Sequence, residues 1–306
     1  RGVRRHSSRP APMNPRSAPL AAMAAMCAIW GYSWIVMKIA LRYAHPFDFA
    51  AQRLVLGAVL LFALVAATGR RLALSSYRMA IVLGLVQVGA FVMLTHYALL
   101  TAGPGKTSVL TYTMPFWMIV FAHFMIHERM RGAQWLSVAL AFAGLVLIVS
   151  PWKLASLEGS LLAVGAGAVW ALAAVMSKRW PTKDAEPLTF TAWQLAFGSI
   201  PLVLLALLHP HEGVRWNGEY GLALAYSAVF ATSAGWWLWT YVLSHAPAGV
   251  TGLNTLAIPV IAVIASWLQL GERPPPHELL GMALIGLALA LLAWLGLRKP
   301  EATPVD

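Results

Sequence analysis

The sequence predicts an all-α membrane protein of ten transmembrane helices, arranged as two inverted repeats of five. Three observations predict it. Of the 306 residues 59% are hydrophobic and only 11% are charged, with a mean hydropathy of +0.69; a soluble domain carries about a quarter charged residues. The apolar residues come in runs of about 20, the length a helix needs to cross roughly 30 Å of hydrocarbon, without the every-second-residue alternation of barrel strands. Finally, the chain echoes itself: Trp30 and Lys38 recur 140 residues on as Trp170 and Lys178, each pair near the end of an apolar run.

Residues 1–19 mix Arg, Pro and Ser and read as a disordered, basic cytoplasmic arm. The apolar run that follows is too long for a secretory core and is expected to stay as a span. Spans are expected near 20–43, 48–68, 79–101, 107–126, 134–150, 159–177, 188–208, 219–243, 251–270 and 278–297, with a short cytoplasmic tail over 298–306. Pro104-Gly105, Pro151, Pro181, Pro210 and Pro274 to Pro276 fall in the connections. With both termini cytoplasmic, fifteen Lys and Arg lie on that side against six opposite, Arg53 remaining inside a span. That bias fits an even number of spans in a bacterial-type inner membrane.

The echo continues along both halves, 20–150 and 159–297. Pro46 and Arg53 correspond to Pro187 and Gln194. Tyr97, Gly105, Thr111, Pro115 and Glu128 correspond, 144 residues on, to Tyr241, Gly249, Thr255, Pro259 and Glu272, and Gly144 corresponds to Gly286. Because five is odd, the second repeat must enter the membrane from the opposite side. Inverted repeats are the architecture of secondary transporters, which bind substrate near the midplane at the repeat interface.

Trp30-Gly31, the Pro46-Phe47-x-Phe49 run followed by Arg53, Pro115 with His127-Glu128, and Pro259 with Gly271-Glu272 together resemble the EamA-type branch of the drug/metabolite transporter superfamily. The resemblance spans both halves. It implies a central cavity lined by the first, third, fourth, sixth, eighth and ninth helices, and export of amino acids, related metabolites or drugs. His127, where the family usually has Gly, and Gln194, opposite Arg53, depart from the pattern.

Helical phase puts Met23, Met26, Trp30, Trp34, Met37 and Lys38 on one stripe of the first span. The matching stripe of the sixth is Ala163, Ala166, Trp170, Ala174, Ser177 and Lys178. With both stripes facing the axis, as the resemblance implies, large side chains in one half against small ones in the other frame an off-centre cavity with aromatic walls, suited to apolar or aromatic substrates. Ordinary packing is the alternative for the small stripe. Candidate substrate contacts are Trp30, Trp34, Lys38, Thr111, Trp170, Lys178, Trp236, Trp239, Asn254 and Thr255, with Pro115 and Pro259 as hinges. A mid-helix proline frees a carbonyl of the preceding turn, which can bend the rod. The lysines either snorkel to opposite interfaces or attract a substrate carboxylate at each mouth. Arg53 is the deepest positive charge.

Other chemistry is thin. His123 and His127 lie one turn apart without a third ligand, so no metal site is expected, and no phosphate loop or cofactor motif is present. Basic residues at span ends and in the arm, with no compact basic domain, exclude nucleic acid as the partner. The expected partners are a small-molecule substrate and the lipid bilayer; a homodimer stays open. An intramembrane enzyme would need a base beside Ser233, and no histidine shares its depth. The sequence therefore points to a non-enzymatic carrier exporting amino acids or their derivatives, with a multidrug carrier of the same fold or a channel as alternatives.

Overall fold

The computed structural model describes residues 17–74, 76–102, 107, 110–130, 132, 134–149, 157–181, 186–208, 212–271 and 273–297. The arm up to residue 16, the tail over 298–306, Gly105, Pro151, Pro210 and Glu272 lie outside the described residues. Ten helical rods follow in order among the described residues: α1 (Ser17–Ala40), α2 (Pro46–Ala67), α3 (Tyr77–Leu83, Gly84–Ala90 and Phe91–Ala102), α4 (Met114–Ile126) and α5 (Gln134–Val149) in the first half. The second half holds α6 (Leu157–Arg179), α7 (Pro187–Leu208), α8 (Gly218–Tyr226, Ser227–Ala234 and Gly235–His245), α9 (Ala248–Asn254 and Ala257–Leu270) and α10 (Pro276–Leu297). Six of these, α1, α2, α3, α6, α7 and α9, are long and apolar enough to cross a membrane, while α4, α5 and α10 offer shorter apolar stretches. The first helix starts at Ser17, slightly ahead of the expected span.

Local chemistry explains the ends. Pro46, Pro187 and Pro276 open α2, α7 and α10, where a missing N–H costs nothing and the fixed φ favours helix entry. Asn217 caps α8, its Oδ1 accepting from Tyr220 N at 2.8 Å. Two mate helices, α4 and α9, end alike on a left-handed residue: His127 at φ 57° and Gly271 at φ 68°. Gly is the residue that takes this geometry without strain. That is the physical reason the His127 departure stands out.

Packing is dominated by contacts across the two halves. Rods α2 and α7, α4 and α9, and α5 and α10 pair directly. Rod α1 packs on α8 and α9, as α6 packs on α3 and α4; α2 packs on α8, as α7 packs on α3. Exchanging each rod with its partner five places on leaves this pattern unchanged, which is what a two-fold relation between duplicated halves requires. The end of α1 meets the start of α8, where Arg215 N donates to Tyr43 O at 2.8 Å. The end of α6 meets the end of α8, where Lys178 Nζ donates to Ala246 O. Rods α1 and α6 therefore finish at opposite faces: the repeats are inverted. Large apolar side chains such as Val59, Phe124, Leu207 and Leu222 cover the outside, as a lipid-facing surface does.

The symmetry reaches backbone detail. Both α3 and α8 carry a π-helical segment, Gly84–Ala90 and Ser227–Ala234, in corresponding places. Each lies against a glycine of the partner half. A Cβ on Gly57 would sit 2.5 Å from Thr232 Cγ2, and one on its mate Gly198 would sit 2.3 Å from Val88 Cβ and 2.5 Å from Gly84 O.

Candidate functional site

Four tryptophans meet at the centre. Trp30 and Trp170 are mates in the repeat, and their rings touch edge-on with centroids 5.5 Å apart. Equivalent residues can touch only beside the axis that relates them, so the pseudo-two-fold passes between these rings. Rod α8 adds Trp236 and Trp239, centred 4.8 and 5.2 Å from Trp170. Trp239 also lies 6.1 Å from Trp30. Aromatic pairs of this kind contribute about 0.5–1.5 kcal/mol each beyond the area they bury.

One side-chain exchange breaks the symmetry of the cluster. Phe91 packs on Trp170 with centroids 4.6 Å apart. Its mate is Gly235, where an added Cβ would come within 2.3 Å of Trp30 Nε1. With no side chain in the way, Trp30 settles against the α8 backbone and donates to the Ala231 carbonyl at 2.9 Å. Trp170, held off by Phe91, has an Nε1 without a partner, as has Trp239. One ring is thus anchored to a carbonyl of the π segment, and two are held by packing alone.

A cavity lies on each side of this cluster. The first, of about 100 Å³, is walled by Trp30, Trp34, Met37, Phe91, Trp170 and Trp236, with Ser33, Phe49, Arg53, Val92, Thr95, His96, Thr111, Tyr112, Met114, Ser227 and Ala231. The second, of about 500 Å³, is lined by Trp239, Gln87, Gln194, Phe190, Thr240, Ser177, Lys178 and Glu128 among others. Many lining residues correspond. Met37, Phe49, Arg53 and His96 of the first cavity have Ser177, Phe190, Gln194 and Thr240 as mates in the second; Ser227 and Ala231 have Leu83 and Gln87. The cavities are one vestibule, repeated and inverted.

Their chemistry differs. In the first, Arg53 reaches Thr232 Oγ1 through Nη1 at 3.3 Å, while its buried Nε has no partner. His96, 1% exposed, bonds through Nδ1 to the Val92 carbonyl at 2.7 Å, and its Nε2 is unpartnered. No carboxylate lines this cavity among the described residues. In the second, Gln194 Nε2 donates to Gln87 Oε1 at 2.8 Å, so the position of Arg53's mate is uncharged and paired, while Gln87 Nε2 has no partner.

The sequence candidates divide accordingly. Trp30, Trp34, Thr111, Trp170 and Trp236 line the first cavity; Trp239 and Lys178 line the second. Trp34 Nε1 donates to Tyr112 Oη at 2.9 Å. Thr111 and Thr255 turn their hydroxyls to the carbonyls of Thr107 and Gly252, at 2.7 and 2.6 Å. Lys38, Asn254 and Thr255 line neither cavity. Lys178 is engaged at its mouth, donating to the Ala246 carbonyl and standing 3.9 Å from Glu128. Glu128 also accepts from Ala248 N and Gly249 N, a carboxylate on the positive end of α9. Pro115 sits at the first turn of α4, just after the turn at Tyr112–Thr113, and Pro259 follows the turn at Thr255–Leu256 that divides α9. A Cβ on Gly252 would lie 3.3 Å from Pro115 Cα, so α9 crosses the start of α4 here. The sequence reading missed His96, Phe91 and Tyr112. A histidine inside an apolar run was the available signal.

The residues just after α1 meet those at the start of α8. Tyr43 Oη donates to Glu219 Oε2 at 2.6 Å, the Arg215 guanidinium reaches the Arg42 carbonyl, and that guanidinium carbon stands 5.9 Å over the Tyr43 ring. The hydrogen bond to Glu219 pushes the Tyr43 phenol above its usual pKa.

Inverted halves, a closed aromatic centre and a vestibule on either side define a multi-pass membrane transporter. The sequence profile of the EamA-like transporter family matches residues 17–150 and again 157–294, and the chain belongs to that family, within the drug/metabolite transporter superfamily. It is 28% identical over 264 residues to the uncharacterized transporter YoaV of Bacillus subtilis (strain 168), covering 84% of this chain and 90% of that one. Over 294 residues it is 24% identical to a protein of Escherichia coli (strain K12) named a probable amino-acid metabolite efflux pump, covering 90% and 95%. A solved structure superposes with a TM-score of 0.78 at 19% identity, covering 92% of this chain and all but 1% of that one, a likeness of fold.

Proposed function

We propose that this transporter exports amino acids or closely related amphipathic metabolites by alternating access. The observation that carries the reading is the pair of symmetry-related vestibules separated by the Trp30, Trp170, Trp236 and Trp239 cluster. A two-fold that exchanges halves also exchanges vestibules, so rocking one half against the other opens one while closing its mate. The larger vestibule opens beside Lys178, which the charge bias puts at the cytoplasmic face, with both termini on the cytoplasmic side of a bacterial inner membrane. The Tyr43–Glu219 bridge then closes the outer mouth. Trp30, Trp34, Thr111, Trp170, Trp236 and Trp239 form the substrate walls, Lys178 gates the inner mouth, and Pro115 and Pro259 are the flexing points. The E. coli relative's name supports the substrate class.

Counterflow in liposomes tests this. Protein reconstituted with trapped unlabelled apolar amino acid should accumulate the labelled compound transiently and saturably. Flux that rises linearly with concentration and shows no counterflow would indicate a channel and overturn the reading.

A further inference from the structure

The first vestibule holds an unusual set of polar groups for the middle of a bilayer: a guanidinium with an unpaired Nε, an imidazole with an unpaired Nε2, and no carboxylate among its described lining. Ionisable residues in such places are expensive and mark the substrate path. A cation facing a cavity without a fixed counter-ion leaves room for an anion to arrive with the ligand. Guanidinium suits a carboxylate because its planar fork presents parallel N–H donors.

His96 supplies the complementary half. Its Nδ1 contacts a carbonyl, which only accepts, so Nδ1 carries the proton. In the neutral ring Nε2 is then a free lone pair, an acceptor that suits an ammonium. We propose, building on the amino-acid reading above, that Arg53 and His96 form an α-amino acid head-group subsite: Arg53 takes the carboxylate, His96 Nε2 takes the ammonium, and the apolar side chain lies against Trp34, Phe91 and Trp170. The mates of these two residues, Gln194 and Thr240, are uncharged, and Gln194 is already paired with Gln87. The head group is therefore read on one side of the tryptophan cluster only, the side away from Lys178.

The test uses the full-length protein in liposomes, with counterflow of labelled phenylalanine competed by phenylalanine, phenylalaninamide (no carboxylate) and N-acetylphenylalanine (no ammonium). Wild-type protein is expected to prefer phenylalanine over each analogue by about tenfold or more, the worth of one charge-assisted hydrogen bond. Arg53→Gln should erase the preference over the amide while keeping the preference over the N-acetyl compound. His96→Phe should do the reverse, and Arg53→Lys should restore part of the amide discrimination. A general packing defect cannot produce that crossed pattern. If Arg53→Gln does not reconstitute, the His96→Phe arm decides the matter alone. Equal competition by all three compounds in wild-type protein, or discrimination unchanged in both variants, overturns the subsite while counterflow itself still supports an amino-acid carrier. No counterflow of any of these compounds would remove the substrate reading and the subsite with it.

Discussion

At the scale of single residues, the Phe91 and Gly235 exchange shows how a duplicated fold acquires a one-sided centre. A glycine at 235 lets Trp30 reach the Ala231 carbonyl, and a phenylalanine at 91 keeps Trp170 away from the matching position. Gly235→Ala is expected to displace Trp30, at a cost of about 1–3 kcal/mol from overpacking, read as a lower melting temperature together with a shift in tryptophan emission. Tyr43 offers a different check. Its phenol pKa is raised by Glu219, so the stabilisation is complete below the ordinary tyrosine pKa of about 10 and is lost as pH rises through the raised value. The melting-temperature gap between wild type and Tyr43→Phe should accordingly hold steady through neutral pH and close only in alkali. A gap independent of pH would mean the hydroxyl contributes by packing. Residue pairing across the repeat was legible in the sequence for Trp30 and Trp170. The roles of Phe91 and His96 were not, because they depend on which atoms of another helix each side chain meets.

Among the elements, α3 and α8 carry the feature sequence periodicity does not report. Their π segments insert a wider turn without changing the run of apolar residues, so a hydropathy pattern reads through them. The glycines opposite, Gly57 and Gly198, did not signal it either, since a helical glycine alone has many causes. Gly198→Ala should destabilise strongly, because its Cβ would meet Val88 Cβ and the Gly84 carbonyl. Gly165→Ala, with nothing within 4 Å of the new Cβ, should be neutral or stabilising by up to about 1 kcal/mol. Paired thermal melts of the two variants check this directly. His127, left-handed where its mate is Gly271, predicts that His127→Gly raises stability by about 1 kcal/mol, and a lower melting temperature would contradict a strained cap. Helix existence was legible beforehand, since it follows from long apolar runs; the prolines expected in mid-helix, Pro115 and Pro259, instead stand in the first turn of the segments that follow the turns at Tyr112–Thr113 and Thr255–Leu256.

For the whole molecule, the exchange of rods between halves makes the two vestibules alternatives of one another. The structure holds them unequal, about 100 Å³ against about 500 Å³, with the tryptophan cluster between. The proposed alternating access then needs no new architecture, only the arrangement related to this one by the two-fold. The single cysteine, Cys27, is buried, so replacing it with alanine gives a clean background for labelling. Ser33→Cys reports the first vestibule and Ser177→Cys the second. The decisive measurement is the rate at which a membrane-impermeant maleimide labels each, from its own side of the membrane, with and without the proposed amino-acid substrate. Substrate is expected to move the two rates in opposite directions. Rates that rise together, or two sites open at once, would contradict it.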